Sequence, residues 1–137
     1  MIIKPNFIII CREAFLEAGT NNLNLIRIFS QVHADTLPFQ LPPFALVVNF
    51  DIDEAGQHLL RTDVFGPDHK QIAHTELPVT TNAGNWQVIA NFERLTAPVP
   101  GTYTFQLMLD DTPLGSRALE VKSNAPKPGR SKPPAIA

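Results

Sequence analysis

The chain of 137 residues holds a single cysteine, Cys11, and therefore no internal disulfide. A lone cysteine fits a reducing compartment, or an exported protein that uses no disulfides. Charge is scarce too: Asp, Glu, Lys and Arg make up 18% of the residues, where globular domains usually carry roughly 25%. The net charge of −2 gives no pull towards nucleic acid or an anionic membrane. No apolar run nears the ~18 residues of a membrane span. The run Phe7-Ile-Ile-Ile-Cys11 is ended at once by Arg12 and Glu13, well short of the roughly 7–15 residues of an export-signal core. The expectation from these absences is a soluble, cytoplasmic protein with neither a membrane nor a nucleic-acid partner.

Catalytic signatures are missing as well. There is no Gly-x-Ser-x-Gly, no glycine-rich phosphate loop ahead of a helix, and no EF-hand spacing. His33, His58, His69 and His74 include no His-x-His or His-x-x-x-His pair, and a zinc site wants three or four converging ligands with close pairs. Cys11 in an Ile-rich strand reads as a small buried hydrophobe, because apolar burial raises a thiol pKa. Neither enzymatic activity nor a cofactor is expected.

What the chain does contain is strand periodicity. Tyr103, Phe105, Leu107 and Leu109 alternate with Thr102, Thr104 and Gln106, so one face of an extended segment is apolar and the other polar. Asp110-Asp111-Thr112-Pro113 supplies a turn, and Leu119 and Val121 lie on the returning strand. Phe44, Leu46, Val48, Phe50 and Ile52 alternate in the same way, as do Trp86, Val88, Ala90 and Phe92. Further strands are predicted over Phe7–Cys11, Leu23–Val32, Gln57–Phe65 and Lys70–Thr75. Arg12–Glu17 reads equally as a continued strand or a helical turn, and Leu77–Asn85 as a loop holding Pro78 and Gly84. With 44% apolar residues the chain can fill one core. The prediction is a single all-β domain over residues 1–122: a two-sheet antiparallel β-sandwich of about eight strands. Residues 123–137, rich in Pro, Lys and Arg, are expected to form a disordered tail.

Gly101-x-Tyr103-x-Phe105 is similar to the tyrosine corner of immunoglobulin-like domains, in which a Tyr near the start of a late strand bonds back to upstream backbone. Phe105 stands where antibody domains place their second cysteine. Trp86 falls well after the antibody tryptophan, so the architecture is read as immunoglobulin-like or C2-like without a fixed topology. Cys11, Asn22-Leu-Asn-Leu-Ile26, Pro42-Pro-Phe44, Pro100-Gly-x-Tyr-x-Phe105 and Leu119-x-Val121 together carry a resemblance across residues 5–122. They resemble a family of small, uncharacterised bacterial β-sandwich proteins classed only as a domain of unknown function. The resemblance implies a sandwich of bacterial or phage origin and brings no activity, substrate or functional residue.

The leading expectation is a non-catalytic protein–protein interaction module whose partner is another protein, one encoded nearby being the first to look for. Phe39 and Leu41, in the Pro-rich segment Thr36–Pro43, are the expected interaction patch, or else a cover for the bottom of the sandwich. A homodimer through an edge strand is a further expectation. The alternative is a ligand-binding sandwich. Calcium would take loop carboxylates such as Asp51, Asp53, Asp110 and Asp111, while carbohydrate would stack on Trp86, Phe65 or Tyr103. Asp and Asn are also ordinary turn residues, since their side chains bond local backbone.

Overall fold

Alternation of apolar and polar residues becomes eleven strands in the computed structural model, which describes residues 2–124. They are β1 (Ile3–Leu16), β2 (Leu23–Ile28), β3 (Gln31–Ala34), β4 (Phe39–Gln40), β5 (Phe44–Ile52) and β6 (Gly56–Phe65). Then follow β7 (Gln71–Thr81), β8 (Gly84–Phe92), β9 (Thr96–Ala97), β10 (Gly101–Leu109) and β11 (Thr112–Ser123). One sheet runs β2-β1-β5-β8 and the other β3-β11-β10-β6-β7, while β4 and β9 form a two-residue pair between them in sequence. All pairings are antiparallel except β3 beside β11, which is parallel. Of the disordered tail expected over residues 123–137, Ser123 instead closes β11 and Asn124 bonds the Ala34 carbonyl and the Asp35 carboxylate, while residues 125–137 lie outside the described residues.

The order of strands is immunoglobulin-like. The last two strands, β10 and β11, lie beside β6 and β7, while β5 and β8 pair in the opposite sheet. Trp86 sits on β8 rather than on β6, where the antibody tryptophan would be. The tyrosine corner is formed: the Tyr103 hydroxyl donates to the Val99 carbonyl at 2.5 Å and accepts from the Val99 N–H at 3.3 Å. Gly101 just before it has φ +138°, and a Cβ there would stand 2.5 Å from the Pro67 ring. Only glycine fits.

An aromatic cluster takes the place of an inter-sheet disulfide. Phe105 of β10 meets Phe44 of β5 edge-on at 5.8 Å and Phe92 of β8 at 5.7 Å. Phe44 and Phe92 stack at 5.1 Å, and Phe29 closes on Phe44 at 6.2 Å. Such pairs contribute about 0.5–1.5 kcal/mol each beyond the area they bury. Phe50, Leu46, Val48, Leu60, Leu107 and Leu119 fill the remaining space between the sheets.

Two local expectations are corrected and one open alternative is resolved. Leu23–Val32 is not one strand: Phe29 N–H still bonds the Ile10 carbonyl of the first sheet, and Ser30 C=O already accepts from Glu120 of the second. The chain therefore changes sheets at Phe29-Ser30, which adds one strand to the expected count, and the short β4 and β9 add two more. Leu77–Thr81 is strand, not loop, because β7 is an edge and Pro78 there has no inner donor to lose. Arg12–Leu16 extends β1 instead of turning helically, since β2 pairs with it from Glu13 to Leu16.

Candidate functional site

The end of β1 outruns its own sheet. Its ladder to β5 stops where Cys11 meets Ala45, and β5 begins at Phe44. Glu13–Leu16 pair with β2 alone, so β1 and β2 leave the sandwich as a two-stranded ribbon. Its tip is closed by Asn21 N–H to Glu17 C=O and Glu17 N–H to Asn22 C=O, with Asn21 at φ +57° and Gly19 at φ +88°. Asn and Gly suit those left-handed positions.

Arg27 breaks the regularity of β2. It has φ +56°, and the ladder passes from Cys11–Ile28 to Glu13–Ile26 without a bridge at Arg27. A non-glycine residue held there costs on the order of 1 kcal/mol. Beyond this kink Ala14, Leu23 and Leu25 join Phe7, Cys11, Ala45, Val47 and Ile89 in an apolar cluster. That cluster lies on the outer face of the sheet, because Ala45 and Val47 alternate with the inward Phe44, Leu46 and Val48. Phe15 and Ile26 instead line a groove of about 700 Å³, with Arg12 and Glu13 beside them and Phe44 and Phe92 at its base. Phe15, Leu16, Ile26 and Ile28 are 47%, 46%, 43% and 58% exposed. Among the described residues, four of the eight large exposed hydrophobic residues thus sit on the ribbon or, for Ile28, at its root. Apolar side chains gathered in this way mark a contact surface.

The expected patch is elsewhere and is mostly covered. Leu41 is 3% exposed, packed in the core and held by its N–H to the Leu95 carbonyl. Phe39 is half-buried against the same core, paired with Ala97. These residues seal one end of the sandwich, so Leu41 offers no surface to a partner. Tyr103 is likewise buried by its corner, and burial pushes its hydroxyl pKa up. Trp86 is half-buried with its indole N–H on the Asn82 carbonyl, and Phe65 is half-buried on β6.

The loop carboxylates are already engaged within the chain. Asp51 accepts from Asn85 at 2.9 Å and Asn6 at 3.2 Å, bonds that hold its pKa below the ordinary carboxylate value. Asn6, Asn49, Asn85 and Gln87 continue this amide network on the outer sheet face, and Asn49 is buried within it. Asp53 accepts the Ile2 N–H. Asp110, at φ +54° in the closing turn, accepts the Leu59 N–H at 2.9 Å and meets His58 Nδ1 at 2.8 Å. The His58 bond, then the Leu59 bond, lowers the Asp110 pKa. Asp111 is exposed in the same turn. Among the described residues, no three His, Cys, Asp or Glu side chains gather where one cation could bind.

The histidines do not meet. His58 lies opposite Val79 and His74 opposite Asp63, about 16 Å apart along the strand. His74 instead bridges Asp63 at 2.5 Å and Glu76 at 3.0 Å, and these bonds raise its pKa. His69 is a left-handed turn residue at φ +65°, and His33 lies on β3. Cys11 is buried, its thiol pKa raised by desolvation.

With the geometry in place, comparison with known proteins adds the family. The profile described as "Family of unknown function (DUF6941)" matches residues 6–122. The chain belongs to that family. The span agrees with the resemblance read over residues 5–122, and the family description assigns no activity. Comparison with curated proteins gives no match. Among solved structures, the alkylpurine DNA glycosylase AlkC from Pseudomonas fluorescens, bound to DNA containing an abasic-site analogue, aligns with 88% of this chain at a TM-score of 0.55 and 8% identity. The chain spans 30% of the glycosylase's length, and at that identity the likeness shows the fold alone. An immunoglobulin-like protein from Pseudomonas aeruginosa aligns over 89% of this chain and 98% of its own, at a TM-score of 0.42 and 19% identity. No helix is long and apolar enough to cross a membrane among the described residues.

The ribbon was hidden from sequence reasoning by an ambiguity of period. Arg12–Glu17 fitted strand or helix equally, and Leu23–Val32 looked like one strand buried on one face. The usable signal is that four of the six residues from Leu23 to Ile28 are aliphatic, more than a half-buried strand needs.

Proposed function

We propose that this member of the family is a non-catalytic, cytoplasmic interaction module that docks protein through its β1–β2 ribbon. The observation that carries the reading is the concentration of Phe15, Leu16, Ile26 and Ile28 in exposed positions beside an open strand edge. An edge strand offers unpaired backbone donors and acceptors, and an added strand gains affinity from them while side-chain pockets give selectivity. The groove under the ribbon, with Phe44 and Phe92 at its base, supplies such a pocket. The charges around it are mixed, Arg12 and Arg27 with Glu13 and Glu93, so they would orient an apolar partner without demanding one sign of charge. The test is affinity purification from the source cell with the full chain and with Ile26→Lys. A stoichiometric protein recovered by the first and lost by the second is the expected result. Equal recovery by both would refute docking at the ribbon.

A further inference from the structure

We infer that β2 pairs with β2 of a second copy of this chain, antiparallel about a two-fold axis at Leu25, joining two four-stranded sheets into one of eight strands. The inference rests on the ribbon being a docking surface and names its partner.

The first argument is the condition of the edge. β7, the edge strand β6 pairs with, carries Pro78, His74 and Glu76. β3 is only four residues long. None of the large exposed hydrophobic residues lies on β3, β7 or β8, whereas Ile26 and Ile28 lie on β2. Prolines, charges and shortness are the usual ways to blunt an edge. β2 has a single charge, Arg27, and no proline, and its kink at Arg27 leaves Leu23–Ile26 as the extended, unblunted part of the edge.

The second argument is the kind of strand the edge can accept. On its outer side β2 adjoins the cluster of Ala14, Leu23 and Leu25; on the other, Ile26 and Phe15 face the groove. An added strand must therefore be apolar on both faces. β2 is such a strand itself.

The third argument is register. Pairing about an axis normal to the sheet must place residues of the same face opposite one another. With Leu25 opposite Leu25 of the second copy, Asn24 lies opposite Ile26, two positions apart and so on one face, and the left-handed kink at Arg27 ends the regular pairing on each side. The two Arg27 residues, the only cations of β2, then stand at opposite ends of the paired segment rather than facing each other. Each lies about two strand spacings, roughly 10 Å, from the ribbon tip of the other copy, which carries Glu17. A two-fold contact of this kind is self-complementary and closed. One short strand pair, even with Phe15 and Leu16 beside it, is below the roughly 1,200 Å² of stable complexes. The dimer is thus reversible, with a dissociation constant on the order of micromolar.

Sedimentation equilibrium of the full chain across the micromolar to submillimolar range tests this directly. The expected mass rises from 15.1 kDa towards twice that value. Ile26→Lys should weaken the dimer by about tenfold, with circular dichroism confirming an intact fold; Ile2→Lys, far from the ribbon, should leave it unchanged. Leu25→Cys supplies an independent check. Opposed strand residues lie about 4.5–5.5 Å apart at Cα, within disulfide range. Oxidised Leu25→Cys should therefore give a covalent dimer, and Thr20→Cys at the tip should not. A chain that stays monomeric throughout, or a dimer untouched by Ile26→Lys and uncrosslinked through Leu25→Cys, overturns the inference. If the chain is monomeric yet Ile26→Lys loses a different stoichiometric protein from the source cell, self-pairing fails while the docking function stands.

Discussion

Tyr103 and Phe15 are both aromatic residues towards the same end of the sandwich, and their surroundings are opposite. Tyr103 is buried with its hydroxyl bonded in both senses to Val99, and two residues later Phe105 locks the two sheets through Phe44 and Phe92. Phe15 is nearly half exposed, on a ribbon that no third strand supports. The first region spends its apolar residues on the fold. The second keeps them at the surface, where they gain nothing for the monomer. If this contrast is right, substitutions in the first region should cost stability and those in the second should cost association.

The largest effect belongs to Phe105→Ala. It removes the ring that three strands share, and buried Phe-to-Ala changes cost about 3–5 kcal/mol. The expected outcome in urea denaturation is a midpoint lowered to the point of partial unfolding at rest. Gly101→Ala comes next. Its Cβ would collide with Pro67 and its φ of +138° is strained for any other residue, so a loss of about 1–3 kcal/mol is expected. Were Gly101→Ala silent, the corner would be looser than its geometry indicates.

Tyr103→Phe keeps the ring and removes only the bonds to Val99. Because Val99 is itself partly exposed, water can replace the hydroxyl, and the expected loss is about 1 kcal/mol. A smaller change still is expected of Ile26→Lys, within about 0.5 kcal/mol, as for most surface substitutions. Equal destabilisation by Phe105→Ala and Ile26→Lys in the same denaturation series would erase the distinction between the two regions.

The same contrast explains what could be read in the sequence. The corner and the inward faces of β5, β8 and β10 were legible because each strand repeats one simple period, and because a glycine and a tyrosine two residues apart have a specific structural use. The ribbon was not, since its period breaks at Arg27, whose left-handed backbone nothing in its side chain announces. Between the two roles the sequence leaves open for Leu41, contact patch or cover, the choice is illegible for a related reason. An apolar residue between prolines looks like a loop residue, yet the cover it forms depends on Leu95, more than fifty positions away. The Asp110 carboxylate is legible as turn chemistry, but its bond to His58 ties the β10–β11 turn to β6 and has no sequence signature.

His74 gives the smallest and most conditional effect. It lies on β7, remote from both regions, and Asp63 and then Glu76 raise its pKa above the usual 6.5 by accepting its ring N–H bonds. A raised folded-state pKa means that the native chain binds the proton more tightly than the unfolded chain. The associated stability is therefore complete below pH 6.5 and fades as pH rises through the higher folded value. Because His74 is well exposed, water screens these bonds and the contribution is slight. Comparing urea midpoints of the wild-type chain and His74→Gln at pH 5.5 and at pH 8.5 isolates the proton-linked part. The wild type should hold its advantage only at the lower pH. A difference that is constant across this window would show that His74 acts by packing rather than by charge, and that even this exposed face belongs with the sandwich body in how it is held.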